Sequence, residues 1–440
     1  MNIIADETST LYIIDLIFIK NELMNFSILN SGLTVMKLFN AIFLFIISAS
    51  LTYAQPKTVE AGTIETIDSK ILNEKRDLWV HIPLNMPGES SPSNEKRYPV
   101  LYLLDGDWHF LSVAGTLQQM SFINGNTICP EMIIVGIISK DRYSDLTPSR
   151  DSGFSPTSGG GQKFMEYIEK EVIPFIESKY KVEPYRMFVG HSLGGLTVIN
   201  ALISKPSLFN SYVAIDPSMW WDNQKYLKLA EQTFNKENYK GKSLFLAVAN
   251  SMDKGMDTAN VKNDQSDNTR HIRSILMFEN LLKKSKGTGL EYESIYYENE
   301  NHGSVPHIAF YDALHFIFGF YNLPLTKKDF AVSDLSLAER IKDHYAFISE
   351  KMGYKILPSE NFINMLGYNS LMGKSFNQAG YYFKMNVDNY PKSYNAYDSY
   401  GDYFEAIGDN LKAIEMYSRA LEFKNDEGTR QKLMKLSSKK

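Results

Sequence analysis

The sequence predicts an α/β fold, a mostly parallel central sheet covered by helices on both faces, followed by a small all-α domain. Three observations carry this. Strand-like and helix-like segments alternate from Thr58 to Tyr321, and such alternation calls for parallel strands joined by helical crossovers. A Gly-x-Ser-x-Gly run, Gly190-His191-Ser192-Leu193-Gly194, sits where a strand pattern gives way to a helix pattern. After Tyr321 the pattern turns helical throughout, and matching residues recur 34 positions apart, Gly367 with Gly401 and Ala379 with Ala413.

Thr63 to Ile71 and Asp77 to Ile82 alternate apolar and polar residues and read as two strands. Pro83 to Arg97, rich in Pro, Ser, Gly and Asn, reads as a loop. Tyr98 to Leu104 and Met132 to Ile137 are short apolar runs, as buried strands are. Phe164, Tyr167, Ile168, Val172, Phe175 and Ile176 fall at helical spacing within 164–180. Strands are then expected at 186–190, 211–215, 243–250 and 292–297, with helices at 193–204, 268–286 and 307–320. These segments define one α/β domain over 57–325. Residues 331–440 are expected to form a helical domain with two tetratricopeptide-like repeats, 361–394 and 395–428. Small residues Gly401, Ala413 and Ala420 stand where two helices would touch, and Tyr400, Phe404 and Tyr417 where they would wedge. Asn386 replaces a small residue in the first copy. Two repeats are few for a free-standing solenoid, so they should pack on a helix around Leu337 to Met352.

With 440 residues, 44% apolar and 22% charged, the chain is globular and long enough for two or three domains. It carries 46 basic against 51 acidic residues, a net charge of -5, which speaks against a nucleic-acid partner. Its single cysteine, Cys129, excludes an internal disulfide and a thiolate zinc site. No zinc-protease, calcium-loop or phosphate-loop motif is present, so no metal or cofactor is expected. Residues 36–54 show a lysine, the apolar run Leu38 to Ile47 and small residues ending at Ala54, the pattern of a secretory signal. Cleavage near Ala54 would make the mature protein periplasmic or secreted. Residues 1–35 carry Asp6, Glu7, Asp15 and Glu22 ahead of that signal and are expected to be a non-native extension, with Met36 as the start.

The Gly190 to Gly194 run is the pattern of a nucleophile elbow. A serine hydroxyl attacks only when a base takes its proton and a tight turn presents it, and Ser192 is the candidate. His302 is the candidate base: it lies in the polar loop Glu298-Asn299-Glu300-Asn301-His302-Gly303-Ser304 past the last strand, in the chain order such enzymes use. His307 is the alternative. The acid that orients the base is expected after the strand at 243–250, at Asp253 or at Asp257, with Asp264 and Asp267 more distant. The backbone N–H groups of Leu193 and Asp107 are the candidate oxyanion donors.

These residues resemble the esterase family of the α/β-hydrolase fold that includes siderophore (enterochelin-type) esterases and lies near esterase D and the feruloyl and acetyl-xylan esterases. The resemblance spans about 58–321. It rests on Leu103-Leu104-Asp105-Gly106-Asp107, Asp145-Leu146-Thr147-Pro148, Gly190 to Gly195, and Asn301-His302-Gly303-Ser304-Val305. The last segment looks like that family's histidine loop. The resemblance implies a serine hydrolase acting on a carboxylic ester.

Trp108, Arg142, Trp220 and Trp221 are candidate substrate-binding residues, because aromatic rings beside arginines suit an aromatic acyl group, a sugar or an anionic substrate. The Gly- and Ser-rich segment Lys140 to Gly161 is expected to form a lid or rim. The leading expectation is an exported esterase that works through an acyl-enzyme on a small-molecule or carbohydrate-linked ester. Acyl transfer by the same residues is an alternative. Another is a non-catalytic scaffold whose repeats recruit a protein partner.

Overall fold

The computed structural model describes residues 59–83, 96–234, 236–285, 287–330 and 334–438. The expected extension 1–35 and signal 36–54 lie outside these residues, as does 84–95 of the expected loop.

Among the described residues, eight strands form one sheet in the order β1-β2-β4-β3-β5-β6-β7-β8. They are β1 (Thr63–Ser69), β2 (Glu74–His81), β3 (Tyr98–Leu104), β4 (Ile133–Ile137), β5 (Val182–His191), β6 (Ser211–Ile215), β7 (Ser243–Ala249) and β8 (Glu291–Tyr297). β1 and β2 are antiparallel, and β2 meets β4 antiparallel. From β4 through β3 to β8 every pairing is parallel. β1 alternates exposed and buried positions, whereas β3, β4 and β6 are buried along their whole length. This is what burial on one face against burial on two produces.

Side chains of β3 divide between two cores. Tyr98, Val100, Tyr102 and Leu104 pack with Phe164, Ile168, Leu196, Tyr226 and Ile272 on one face. Leu101 and Leu103 pack with Phe110, Leu117, Phe310 and Leu314 on the other. The first face is covered by α3 (Gly161–Tyr167), which runs through a π-turn into α4 (Ile173–Lys179), and by α5 (Leu193–Ser204), α6 (Trp221–Phe234) and α7 (Arg270–Lys284). The second face is covered by α1 (Gly106–Ser121) and α8 (Val305–Ile317). Helices α1 and α6 fall in stretches to which the sequence pattern assigns no helix. Their buried residues do recur at helical spacing, but Trp108 and Leu111 are apolar and exposed and blur the stripe of α1.

The segment at 140–161 is a pinned rim. Its short helix α2 (Arg142–Leu146) is capped by Asp141, whose carboxylate accepts from the Tyr143 and Ser144 N–H groups. Asp145 and Arg76 of β2 form a two-pronged ion pair at 2.6 and 2.8 Å, with both side chains buried.

The remaining helices are α9 (Ser336–Met352), α10 (Glu360–Met372), α11 (Phe376–Asn389), α12 (Tyr394–Ala406), α13 (Asn410–Phe423) and α14 (Glu427–Ser437). Leu337, Ala338 and Ile341 of α9 pack with Ile363 and Leu366 of α10 and Tyr382 of α11. Two helix pairs follow, and their closest approaches recur in register. A Cβ on Gly367 would lie 2.7 Å from the Phe383 ring, and one on Gly401 2.5 Å from the Tyr417 ring. Asn386 is buried and donates to the Glu360 carbonyl at 3.1 Å, which accounts for an amide at a close-packed position. Gly401→Val is expected to cost about 1–3 kcal/mol by overpacking. Urea unfolding of the full chain checks this; an unchanged midpoint would contradict the close packing.

Candidate active site

β5 ends at His191 and α5 begins at Leu193, leaving Ser192 to make the whole turn. Ser192 has φ 60° and ψ -115°, a region that costs a non-glycine residue of order 1–3 kcal/mol. The turn closes so tightly that a Cβ on Gly190 would lie 2.4 Å from the Gly194 carbonyl oxygen. Neighbouring chain holds it: Ser192 N–H donates to the Ile215 carbonyl, and Ser218 N–H donates to the Ser192 carbonyl, both at 3.0 Å.

The structure brings Ser192 and His302 together. Ser192 Oγ lies 3.1 Å from His302 Nε2, and His302 Nδ1 lies 2.6 Å from Asp216 Oδ2. A carboxylate only accepts, so the Nδ1 proton faces Asp216 and the Nε2 lone pair faces the serine hydroxyl. The His302 loop is an Asx turn: Asn301 Oδ1 accepts from the N–H groups of Gly303 and Ser304. It is tied to the end of β7, because Asn250 donates to the Glu300 and Glu298 carbonyls.

The acid facing the imidazole is Asp216, which corrects the expectation of Asp253 or Asp257. Asp253 is exposed, and Asp257 is exposed with its carboxylate spent on Ala259 and Asn260. Asp264 caps Ser266 and Thr269. Asp216 follows β6, has φ 42° and is fully buried. Its Oδ1 accepts from Ala249 N–H at 2.9 Å, and its Oδ2 accepts from both His302 and His271 Nε2, the latter at 2.9 Å. Burial opposes charge on Asp216, but the hydrogen bonds from His271, His302 and Ala249 outweigh it and hold the carboxyl well below the usual range.

Behind His302 lies His191, ring centroids 4.4 Å apart, and behind His191 lies His109 at 5.6 Å. Burial first, then the nearby His302 and His109, push the His191 imidazole down to about 3. Burial likewise lowers His109. An unfolded histidine takes its proton near pH 6.5, so between that pH and about 3 the unfolded chain holds the extra proton and acid favours unfolding. The melting temperature is therefore expected to fall as pH drops from 6.5 toward 4, less steeply in His191→Gln. Equal slopes in scanning calorimetry would contradict this. The alternative base His307 is exposed in the first turn of α8, away from Asp216 in the hydrogen-bond network.

The structure also sets two arginines on tryptophans. Arg142 grips Asp105 through two bonds of 2.8 and 2.9 Å, and its guanidinium lies 4.7 Å over Trp108. Asp105 itself is next to the elbow, 3.4 Å from where a Cβ on Gly194 would be. Arg270 lies 5.0 Å over Trp220, which also touches Phe154. Trp108 is exposed and Trp220 partly so. Trp221 is corrected as a ligand contact: it is fully buried, with its indole N–H on the Ser149 carbonyl, and anchors the rim from beneath. Asp107 and Leu193 both lie in the first turn of a helix, where backbone N–H groups have no intrahelical acceptor.

Comparison with known proteins agrees with this architecture. The family model described as "Putative esterase" matches residues 69–294. The ferri-bacillibactin esterase BesA of Bacillus subtilis is 30% identical over 285 residues, which cover 59% of this chain and 92% of that protein. Among solved structures, an IroE-like serine hydrolase from Shewanella oneidensis superposes with a TM-score of 0.59 at 32% identity, covering 74% of this chain and 99% of its own. A protein from Capnocytophaga ochracea shares the fold at 17% identity, with a TM-score of 0.58 and coverage of 86% and 99%. With a serine raised on an elbow against a histidine and a buried aspartate, and with these relatives, the chain belongs to this esterase family and is a serine hydrolase acting on carboxylic ester bonds.

Proposed function

We propose that this esterase opens an ester bond of a siderophore-type substrate through an acyl-enzyme on Ser192. The observation that carries the reading is the continuous path from Ser192 Oγ to His302 to Asp216, at 3.1 and 2.6 Å. His302 Nε2 takes the serine proton as Oγ attacks the ester carbon, and Asp216 stabilises the imidazolium that forms. The carbonyl oxygen becomes an oxyanion held by the N–H groups of Leu193 and Asp107. Collapse breaks the ester C–O bond, and His302 returns its proton to the leaving alcohol. Water, deprotonated by His302, then releases the acid and restores Ser192.

Two features favour a siderophore-type ester. The similar proteins from Bacillus subtilis and Shewanella oneidensis are named a ferri-bacillibactin esterase and an IroE-like hydrolase. The exposed Trp108 beside Arg142 and the partly exposed Trp220 beside Arg270 offer flat apolar surface, which suits a substrate built on rings. The signal-like pattern at 36–54 supports action outside the cytoplasm, and the 34-residue recurrence supports a tetratricopeptide-like tail.

Labelling with a fluorophosphonate followed by peptide mass spectrometry tests the nucleophile, and the adduct is expected on Ser192. A panel of siderophore, feruloyl, acetyl-sugar and short acyl esters tests the substrate. The largest kcat/KM is expected on the siderophore ester, and a preference for acetyl sugars would sink that assignment.

A further inference from the structure

The hydrolytic relay requires one imidazole on Asp216, and the structure supplies two. His302 Nδ1 and His271 Nε2 reach the same oxygen, Oδ2, at 2.6 and 2.9 Å. The two rings stand 5.0 Å apart at 86°. All three donor atoms lie within 4.8 Å of one another. We propose that Asp216, His271 and His302 form an inhibitory binding site for a zinc-type divalent transition ion.

The donor set is two imidazole nitrogens and one carboxylate oxygen, which zinc takes while keeping a fourth position for water. Hard ions such as magnesium prefer oxygen-rich sites and are disfavoured here. Asp216 is a fixed ligand: it is fully buried, and Oδ1 is already held by the Ala249 N–H. The two histidines are the accessible side, with His271 and His302 side chains 20% and 42% exposed. Zinc bonds of about 2.0–2.1 Å place neighbouring donors about 3.3 Å apart, so entry spreads the present contacts by about half an ångström. His302 stands on a loop and His271 in the first turn of α7, and the change falls on their part-exposed side chains, not on buried Asp216.

The consequence lies in where the protons sit. Each imidazole now points an N–H at Asp216, and a neutral imidazole that ligates there must carry its proton on the other nitrogen. For His302 that nitrogen is Nε2. Its proton then faces Ser192 Oγ in place of a lone pair, so the serine has no base. No proton is lost from the ring and no bond to the serine forms, which makes the inhibition reversible. This step rests on His302 being the base of the proposed reaction.

The test uses the full chain and zinc chloride, with binding read by competition against a chromophoric chelator and turnover read with a p-nitrophenyl ester. Wild type and Ser192→Ala are expected to take up one equivalent of zinc. His271→Ala and His271→Gln, the latter keeping a donor for Asp216, are expected to bind at least about tenfold more weakly. Wild-type turnover should fall as the site fills and recover with EDTA. The His271 variants, each compared with its own zinc-free rate, should need about tenfold more zinc. Equal zinc uptake by wild type and both His271 variants would remove the site. Zinc held through His271 with turnover unchanged would overturn the proton argument. Because binding is read without turnover, an inactive wild type that still held zinc through His271 would refute the esterase reading and leave the ion site standing.

Discussion

Ser192→Ala is expected to lower kcat by about 10⁶-fold with KM little changed, because in the proposed reaction the hydroxyl acts only along the reaction path. The variant should fold as wild type does. Its side chain makes one long contact besides that to His302, 3.4 Å to Ser218 Oγ. What holds the turn is backbone: the bonds to Ile215 and from Ser218 survive the substitution. Steady-state kinetics with a p-nitrophenyl ester, beside a melting curve, checks both parts. A residual rate above about one hundredth of wild type would mean that another group attacks the ester.

Asp216→Asn should cost about 10⁴-fold in kcat, since an amide in place of the carboxylate presents the wrong partner to Nδ1–H and withdraws the charge that balances the imidazolium. Asp253→Ala and Asp257→Ala are exposed-residue changes and should stay within about twofold of wild type. The three variants together decide which aspartate serves the base. Loss of activity in Asp253→Ala with retention in Asp216→Asn would reverse the assignment drawn from the geometry.

The contrast between these aspartates shows what the sequence could reveal. Ser192 stands out because two glycines flank it at a strand-to-helix junction, a pattern dictated by one sharp turn. His302 stands out because its loop is polar and follows the last strand. Asp216 has neither kind of local signature. The acid is expected past β7, where Asp253, Asp257, Asp264 and Asp267 cluster, whereas the carboxylate that meets His302 stands one strand earlier, directly after β6. Its one trace is a lone carboxylate directly behind the fully buried run of β6, at Ile215-Asp216-Pro217, where an unpartnered charge would be costly. Neither its partnership with His271 nor the enclosure of Trp221 is written in spacing, because both depend on which helices cover the sheet. The sheet was more legible than its cover: runs of β-branched and aromatic residues mark strands, whereas the stripe of α1 is blurred by Trp108 and Leu111.

The pair between Arg76 and Asp145 gives the first two strands a duty beyond framing the sheet. It ties the rim at 140–161 to a hairpin at the edge of the sheet, in a dry setting where either charge left alone costs about 3–5 kcal/mol. Cutting away that hairpin would therefore strand an anion beneath the rim and let the rim drift. Any minimal version of this hydrolase must therefore keep Arg76, although Ser192 lies more than a hundred residues downstream.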